Sequence, residues 1–324
     1  MSVLERAQRI LVLLALAALV VGAGLGAAAA GPLRRSAPIL NPHMLAGSLG
    51  WMALAIPAVA MAMLADAGPD GSWTRAAWTV PGLALAAAAA VLAAGAALGT
   101  APSGAVILFA TGVIEWSASR PAAPAAPTTA GLVQVGALAL ASVALIAGVA
   151  GHDLALVEAN VPLLIGGIAL FAARVGPRLL APGEASGGRI WLILSTVALA
   201  VDVGLVAHLV FEIGRRRYVS IDMVPRWLVF SVDHVTFVAV GASAFLGAVA
   251  AMAARIDRWA LVDGLAAAGL GTGLVGTALG IGIGSAPFEV LFATVLLLSL
   301  LAAVAVAALR VSRYGVAADL AAGG

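Results

Sequence analysis

Long apolar stretches recur along the whole chain and constrain its fold more than any other feature. Short clusters of Gly, Pro, Arg and Asp separate them, and they cover residues 10–30, 43–65, 79–99, 102–117, 130–151, 154–173, 190–213, 227–254, 260–283 and 287–309. A helix needs about 20 apolar residues to cross a hydrocarbon core of about 30 Å. The sequence therefore predicts an all-α protein, a polytopic transmembrane helical bundle of about ten (nine or ten) spans.

Charged residues are too scarce to cover a water-facing surface. They make up 10% of the 324 residues, whereas an average soluble domain has about 25%. We interpret residues 1–324 as one integral membrane domain in a lipid bilayer, with residues 10–30 as the first span rather than a cleaved signal. The Pro/Ala-rich loop AAPAAPTT, residues 122–129, leaves open a division into two halves, 1–121 and 130–324.

The number of crossings depends on residues 79–117, an apolar stretch interrupted by GTAPSG at 99–104. Two short spans fit it, and so does one span with a re-entrant piece. With ten spans and a cytoplasmic N-terminus, 11 of the 17 arginines lie inside, whereas nine spans give at best 10 against 7. The positive-inside rule therefore favours ten spans and a cytoplasmic N-terminus, although Arg215, Arg216 and Arg217 then lie outside, against the rule.

Residue types that the chain lacks exclude several chemistries. It has no Cys, and all 17 basic residues are Arg, which excludes disulfides, thiolate metal sites, iron–sulfur clusters and Lys Schiff bases. No basic stripe is interleaved with aromatic residues, so we expect no nucleic-acid partner. The G-x-G-x-x-G at residues 271–276 lies inside an apolar span, where it predicts close helix packing rather than a nucleotide site.

The four histidines are the main candidates for function. In the ten-span arrangement His43, His152, His208 and His234 all fall near the outer face. Imidazole is costly inside a bilayer and is a common metal ligand. The alternative is that each His caps a helix or bonds a backbone carbonyl. A Gly follows both His43 and His234 at the seventh position on the same helix face, where a macrocycle or another helix could approach closely.

The stretches NPHMLAGSLGWMALAIPAVAM and FSVDHVTFVAVGASAFLGAVA contain His43 and His234. Together they cover about 40 of the 324 residues and resemble the haem-ligand helices of haem-copper oxidase subunit I and its smaller relatives. The resemblance implies that His43 and His234 are axial ligands of haem b. Leu45 and Thr236 stand where the fuller motif has a second His, and the copper-centre histidines are missing, so we expect no oxygen or nitric oxide reductase activity. Haem A synthase is a weaker match, because neither His precedes an Arg.

Arginines near the histidines are candidates for the haem propionates. Arg34 and Arg35 precede His43, and Arg215 and Arg216 follow His208. Arg pairs with carboxylates in bidentate fashion, so all four arginines, together with His152 and His208, join the predicted cofactor-binding residues. The alternative is that the arginines bind lipid headgroups.

Two carboxylates predict a different site. Asp202 lies in the middle of the span LALAVDVGLVAHL, and Glu158 lies in the sixth span. A central carboxylate costs about 2.5–3.5 kcal/mol on insertion scales and typically marks a proton or ion path. The alternative is a protonated Asp that bonds a neighbouring helix. The methionines of the second span offer a weaker hypothesis of Cu(I) binding; they are Met44, Met52, Met61 and Met63.

Three functions follow from these patterns. The first is a multi-pass membrane protein that binds haem b in electron transfer, sensing or respiratory assembly, with other respiratory subunits as partners. The second is a proton- or ion-coupled transporter or channel that uses Asp202 and Glu158. The third is a non-catalytic membrane subunit of a larger complex.

Overall fold

The computed structural model describes residues 3–30, 43, 45–66, 73–100, 102–119, 126–181, 187–217, 223–253 and 259–314. Within these ranges the chain forms eleven helices and no strand. The helices are α1 Val3–Ala30, α2 Leu45–Asp66, α3 Trp73–Ala77, α4 Val80–Leu98, α5 Ser103–Ser119, α6 Thr129–Gly151, α7 Leu154–Leu180, α8 Gly187–Gly214, α9 Arg226–Ala253, α10 Ala260–Gly282 and α11 Ala286–Tyr314.

Nine of the described helices are long and apolar enough to cross a membrane, which confirms the predicted all-α polytopic bundle. The tenth apolar helix, α5, has 17 residues and is about 25 Å long. Every residue from Gly104 to Trp116 of α5 is buried. A helix that is apolar and buried on all sides belongs in the core of a bundle, so α5 is the central helix of this one.

The apolar stretch at residues 79–117 forms two helices because of its central turn. Gly99 ends α4 with a φ of 64°, and the N–H of Thr100 donates to Gly95 O at 2.9 Å. This left-handed conformation favours a residue without a Cβ. Pro102 comes next, just before the first residue of α5, where a helix tolerates the missing N–H.

Contacts between helix ends show that the long helices alternate in direction. Arg9, near the start of α1, donates to Ser312 O at 3.3 Å, near the end of α11. The first and last described helices therefore meet at one end of the bundle, which requires an even number of traverses. The central helix α5 supplies the tenth, because Trp116 near its end donates to Asp66 at the end of α2 at 2.9 Å.

The two ends of the bundle differ in charge. Of the described arginines, eight lie at the end where α1 begins and four at the opposite end, where α2 begins beside His43. We call these the arginine end and the histidine end. The first group is Arg6, Arg9, Arg75, Arg174, Arg178, Arg189, Arg310 and Arg313, and the second is Arg215, Arg216, Arg217 and Arg226.

Aromatic side chains fill the centre of the bundle where α2, α5 and α9 meet. The ring centroid of Trp51 lies 6.0 Å from that of Phe109 and 6.2 Å from that of Phe245, and all three side chains are fully buried. Large apolar side chains on the outer helices, such as Leu261 and Val275, are exposed. Such an outer surface suits lipid rather than water.

Close packing of α10 on α11 explains the glycine-rich pattern in the ninth predicted span. A Cβ on Gly273 would lie 2.6 Å from the backbone nitrogen of Leu296, and a Cβ on Gly276 would lie 2.1 Å from the ring of Phe292. Only residues without a side chain let the two backbones approach this closely. The structure thus confirms helix packing as the role of Gly273 and Gly276, whereas the first glycine of the motif, Gly271, faces open space.

Candidate functional site

His43 and His234 meet at the histidine end, although 191 residues separate them in the chain. Their ring centroids are 6.1 Å apart, and the ring planes differ by 29°. Both side chains are half-buried. Of the four histidines, these two are the ones that the structure brings into ring contact among the described residues.

Each ring of the pair is held in the same way. The Nδ1 of His43 lies 2.8 Å from Gly22 O, and the Nδ1 of His234 lies 3.1 Å from Phe230 O. A carbonyl oxygen only accepts, so each Nδ1 carries the hydrogen, and in a neutral imidazole the Nε2 then keeps a free lone pair. This hydrogen bond agrees with the alternative that each His simply bonds a backbone carbonyl. It also agrees with a metal site, because a metal-binding His usually donates its other ring N–H to such a group.

A π-helical segment begins two residues after His43 and directly after His234. The first is Leu45–Gly50 in α2, and the second is Val235–Ala242 in α9. Each segment contains the Gly that follows its His at the seventh position, so the shared sequence pattern corresponds to a shared local structure. Single π turns are rare and occur frequently at functional sites.

The glycines around the pair pack against other helices or make room for a ring. Trp51 and Val106 occupy the space beside Gly241, where a Cβ would lie 3.0 Å from the Trp51 ring and 2.7 Å from the Val106 side chain. The alternative of ordinary helix packing therefore describes Gly241. Gly26 of α1 instead makes room for His43, because a Cβ there would lie 2.7 Å from Cε1 of the ring. Sequence analysis missed this contact, since nothing local links α1 to His43.

Two neighbours in α9 surround His234. The ring of Phe230 stacks on it, with centroids 4.1 Å apart. The Oδ2 of Asp233 lies 3.3 Å from Nδ1 of the same imidazole. Asp233 therefore faces the residue next to it in sequence.

The other two histidines lie on the outside of the bundle. His152 follows α6 with a φ of 53° and caps the end of that helix through its backbone, as the capping alternative predicted. His208 is an exposed residue of α8. The alternation of the helices puts both in the half of the bundle that holds the pair, but their side chains face outward.

The predicted propionate arginines lie apart from the pair or outside the described residues. Arg34 and Arg35 lie outside the described residues. Arg215 stacks over the ring of Phe211 at 4.0 Å, and Arg216 is exposed. Arg215 follows Asp202 by thirteen residues, about 20 Å along a helix, and Asp202 lies beside the residues that follow His234. Their role at haem propionates stays a prediction.

Asp202 is buried in the middle of the bundle without Glu158. Its side chain is 1% exposed, and its Oδ1 lies 2.6 Å from the hydroxyl oxygen of Thr236. Glu158 is exposed and approaches Gly214 at the end of α8. The partner of Asp202 is therefore Thr236, at the position where the fuller haem-ligand motif has a second His.

The donor set at the histidine end limits the metals it could hold. Within the described residues, no three His, Cys, Asp or Glu side chains come together as a metal site. Two imidazoles without a further protein ligand fit haem iron, because the porphyrin itself supplies the other ligands. No protein-family model, curated protein or solved structure matches this chain.

Proposed function

We propose that this integral membrane protein binds one b-type haem between His43 and His234 and acts in electron transfer. The observation that carries the proposal is the pairing of these two histidines across 191 residues, each with its Nδ1 bonded to a backbone carbonyl. The resemblance of both His-containing stretches to haem-ligand helices of haem-copper oxidase subunit I points to the same two residues.

The separation of the rings supports a shared iron. With metal–nitrogen distances of about 2 Å, two imidazoles that hold one metal would have ring centroids no more than roughly 6 Å apart. The centroids here are 6.1 Å apart. Aromatic pairs without a metal also occur at this distance, and an Nδ1 bonded to a carbonyl fits either case, so the spectrum of the purified protein decides between them.

If His43 and His234 both hold the iron of one haem, they would occupy the positions that a gas or a substrate would need. Such a haem accepts and donates one electron at a time. This favours electron transfer over oxygen chemistry or gas sensing. In this proposal Phe230, stacked on His234, restrains the ring, and the two carbonyls of Gly22 and Phe230 fix the tautomer.

An absorption spectrum of the purified protein tests the proposal. We expect a Soret band after expression with haem supply or after reconstitution, and low-spin ferric haem in electron paramagnetic resonance. His43→Ala and His234→Ala should each abolish the low-spin signal. His152→Ala and His208→Ala are matched controls that should leave it unchanged, because both side chains lie outside the pair.

Two results would overturn the haem proposal. One is a reconstituted protein without a Soret band, and the other is a low-spin spectrum unaffected by His43→Ala and His234→Ala. Metal analysis belongs in the same experiment, because two imidazoles also suit Cu(I). Stoichiometric copper lost in the same two variants, without haem, would replace haem with copper at this pair.

The proposal also includes a cytoplasmic arginine end, in line with the positive-inside rule. Because the chain has no Cys, a single introduced thiol gives an unambiguous topology signal. Ser2→Cys and Ser312→Cys should both be protected from an impermeant reagent in intact cells, and both should react after permeabilisation. Opposite accessibility of the two positions would mean an odd number of crossings, and labelling of both in intact cells would reverse the orientation.

A further inference from the structure

A small cavity lies near the middle of the bundle, between α5, α6, α7 and α8. Its volume is about 20 Å³, and its polar lining comes from Ser103, Ser142, Asn160 and Asp202 among apolar side chains. A cavity of that size holds about one water, provided that polar groups can bond it. The site is separate from the histidine pair and does not depend on the proposed haem.

Two buried polar atoms of this lining have no hydrogen-bond partner among the described residues: Oδ2 of Asp202 and Oδ1 of Asn160. The side chains are 1% and 3% exposed. The amide of Asn160 donates to Ala141 O at 2.8 Å, which fixes its orientation. Each unpaired buried atom costs about 1–3 kcal/mol. One water that donates a hydrogen to each would satisfy both.

The contact between Asp202 and the Thr236 hydroxyl indicates that the Asp202 carboxyl carries a proton. The hydroxyl oxygen of Thr236 lies 2.6 Å from Oδ1 of Asp202 and 2.7 Å from Val232 O. One hydroxyl has one hydrogen to donate. If that hydrogen goes to Val232 O, the short contact to Asp202 is a hydrogen bond only when the carboxyl donates. Both distances are satisfied by a neutral Asp202.

The surroundings of Asp202 supply no positive charge that could balance an ionised carboxylate. The titratable groups on the helices packed around it are engaged elsewhere or face outward in the part of the chain that the structure describes. They are Glu115 with Arg174, Asp263 with Arg310, Glu212 with Arg217, Asp233 with His234, Arg189 with the carbonyls of Leu179 and Ala181, and the exposed Glu158, Arg178, His208 and Arg226. An ionised carboxylate that is buried without a partner is so unfavourable that the group takes up a proton and becomes neutral.

We infer that Asp202 and Asn160 form an internal binding site for one proton and one water. The proton resides on Asp202 and is shared with Thr236, and the water bridges Oδ2 of Asp202 to Oδ1 of Asn160. An exchangeable proton and a water inside an apolar bundle make the elements of a proton relay. Asp202 is the group that takes up and releases the proton, and Asn160 positions the water.

Infrared spectroscopy of the full-length protein in liposomes tests this site. A protonated carboxyl gives a C=O band that shifts in D₂O, and carbon-13 labelling of aspartate assigns it in the wild type without any variant. We expect this band at neutral pH and its loss in Asp202→Asn, which preserves the shape of the neutral acid. Asn160→Ala and Thr236→Val should keep the band but shift it, because Thr236→Val removes a hydrogen-bond partner of the carboxyl and Asn160→Ala removes the residue that holds the bridging water.

Three results would overturn the inference. The first is a wild type without an aspartic acid band at neutral pH. The second is a band that Asp202→Asn leaves intact. The third is a band that disappears when Na⁺ replaces a large organic cation at constant pH, since that would make the oxygen-lined cavity a cation site rather than a proton site.

Discussion

The bundle buries carboxylates in two different ways, and the arginine end differs from the centre in this respect. At the arginine end Glu115 pairs with Arg174, and Asp263 pairs with Arg310. In the centre Asp202 has a hydroxyl and an amide nearby, and none of the described cations contacts it. Glu115 and Asp263 are therefore ionised and paired with charged arginines, whereas the hydrogen bonds around Asp202 fit a protonated, neutral carboxyl.

The difference separates structural carboxylates from a candidate functional one. Each arginine pair joins two helices: α5 to α7 through Glu115, and α10 to α11 through Asp263. Further donors and acceptors complete both pairs, because Gln134 accepts from Arg174 at 2.6 Å and Trp191 donates to Asp263 at 2.9 Å. A fully bonded ion pair fixes its charge state, but a carboxyl with one open oxygen can exchange its proton.

Removal of Arg310 should have the largest effect on stability. Arg310→Ala leaves Asp263 buried and charged without its partner, which costs about 3–5 kcal/mol. We expect that loss in the free energy of unfolding, measured by denaturant titration in mixed micelles. The double variant Arg310→Met with Asp263→Leu removes both charges and should recover most of the loss. Equal losses in the single and double variants would contradict the ion-pair explanation.

Removal of Arg174 should cost less, because water reaches this pair more easily. The Arg174 side chain is 19% exposed, compared with 7% for Arg310. Since partial exposure screens the charge left on Glu115, we expect Arg174→Ala to lower the free energy of unfolding by about 2 kcal/mol. The same titration measures it, with Arg178→Ala as a neighbouring control on α7. A loss larger than that of Arg310→Ala would reverse the proposed order.

Loss of the indole bond to Asp263 should have a smaller effect. Trp191→Phe keeps most of the buried ring and removes one hydrogen bond to a charged group that Arg310 still pairs. The expected loss is about 1 kcal/mol. Combined with Arg310→Ala the two effects should not add, because both variants act on the same carboxylate. Strict additivity in this double-variant cycle would count against a shared network.

Neutralisation of Asp202 should have the smallest effect, and this outcome distinguishes the centre from the arginine end. Asp202→Asn copies the shape and the neutrality of the protonated acid, so we expect the free energy of unfolding to change by less than the roughly 1 kcal/mol that one hydrogen bond contributes. Asp263→Asn is the matched control and should cost several times more, because it leaves Arg310 buried without a counter-charge. Equal losses in the two Asn variants would remove the distinction between the sites.

Local sequence signals predicted the helices and the candidate residues, but not the partners of those residues. The break at residues 99–104 predicted the turn between α4 and α5, because Gly99 and Pro102 act locally. The resemblance pointed to His43 and His234 together. By contrast, nothing in the sequence indicates the partners of Glu115 and Asp263. Each lies near the end of its span, and the structure buries both beside arginines 59 and 47 residues away in sequence.

The sequence by itself determined that this protein is a multi-pass helical membrane protein, because span length and apolar composition are properties of single segments. Only the tertiary structure decided which polar groups meet. It brought His43 to His234, Asp202 to Thr236, and the cavity-facing Asn160 near Asp202. The physical reason is that helix periodicity says which residues share a face of one helix, whereas the packing of ten helices decides which faces touch.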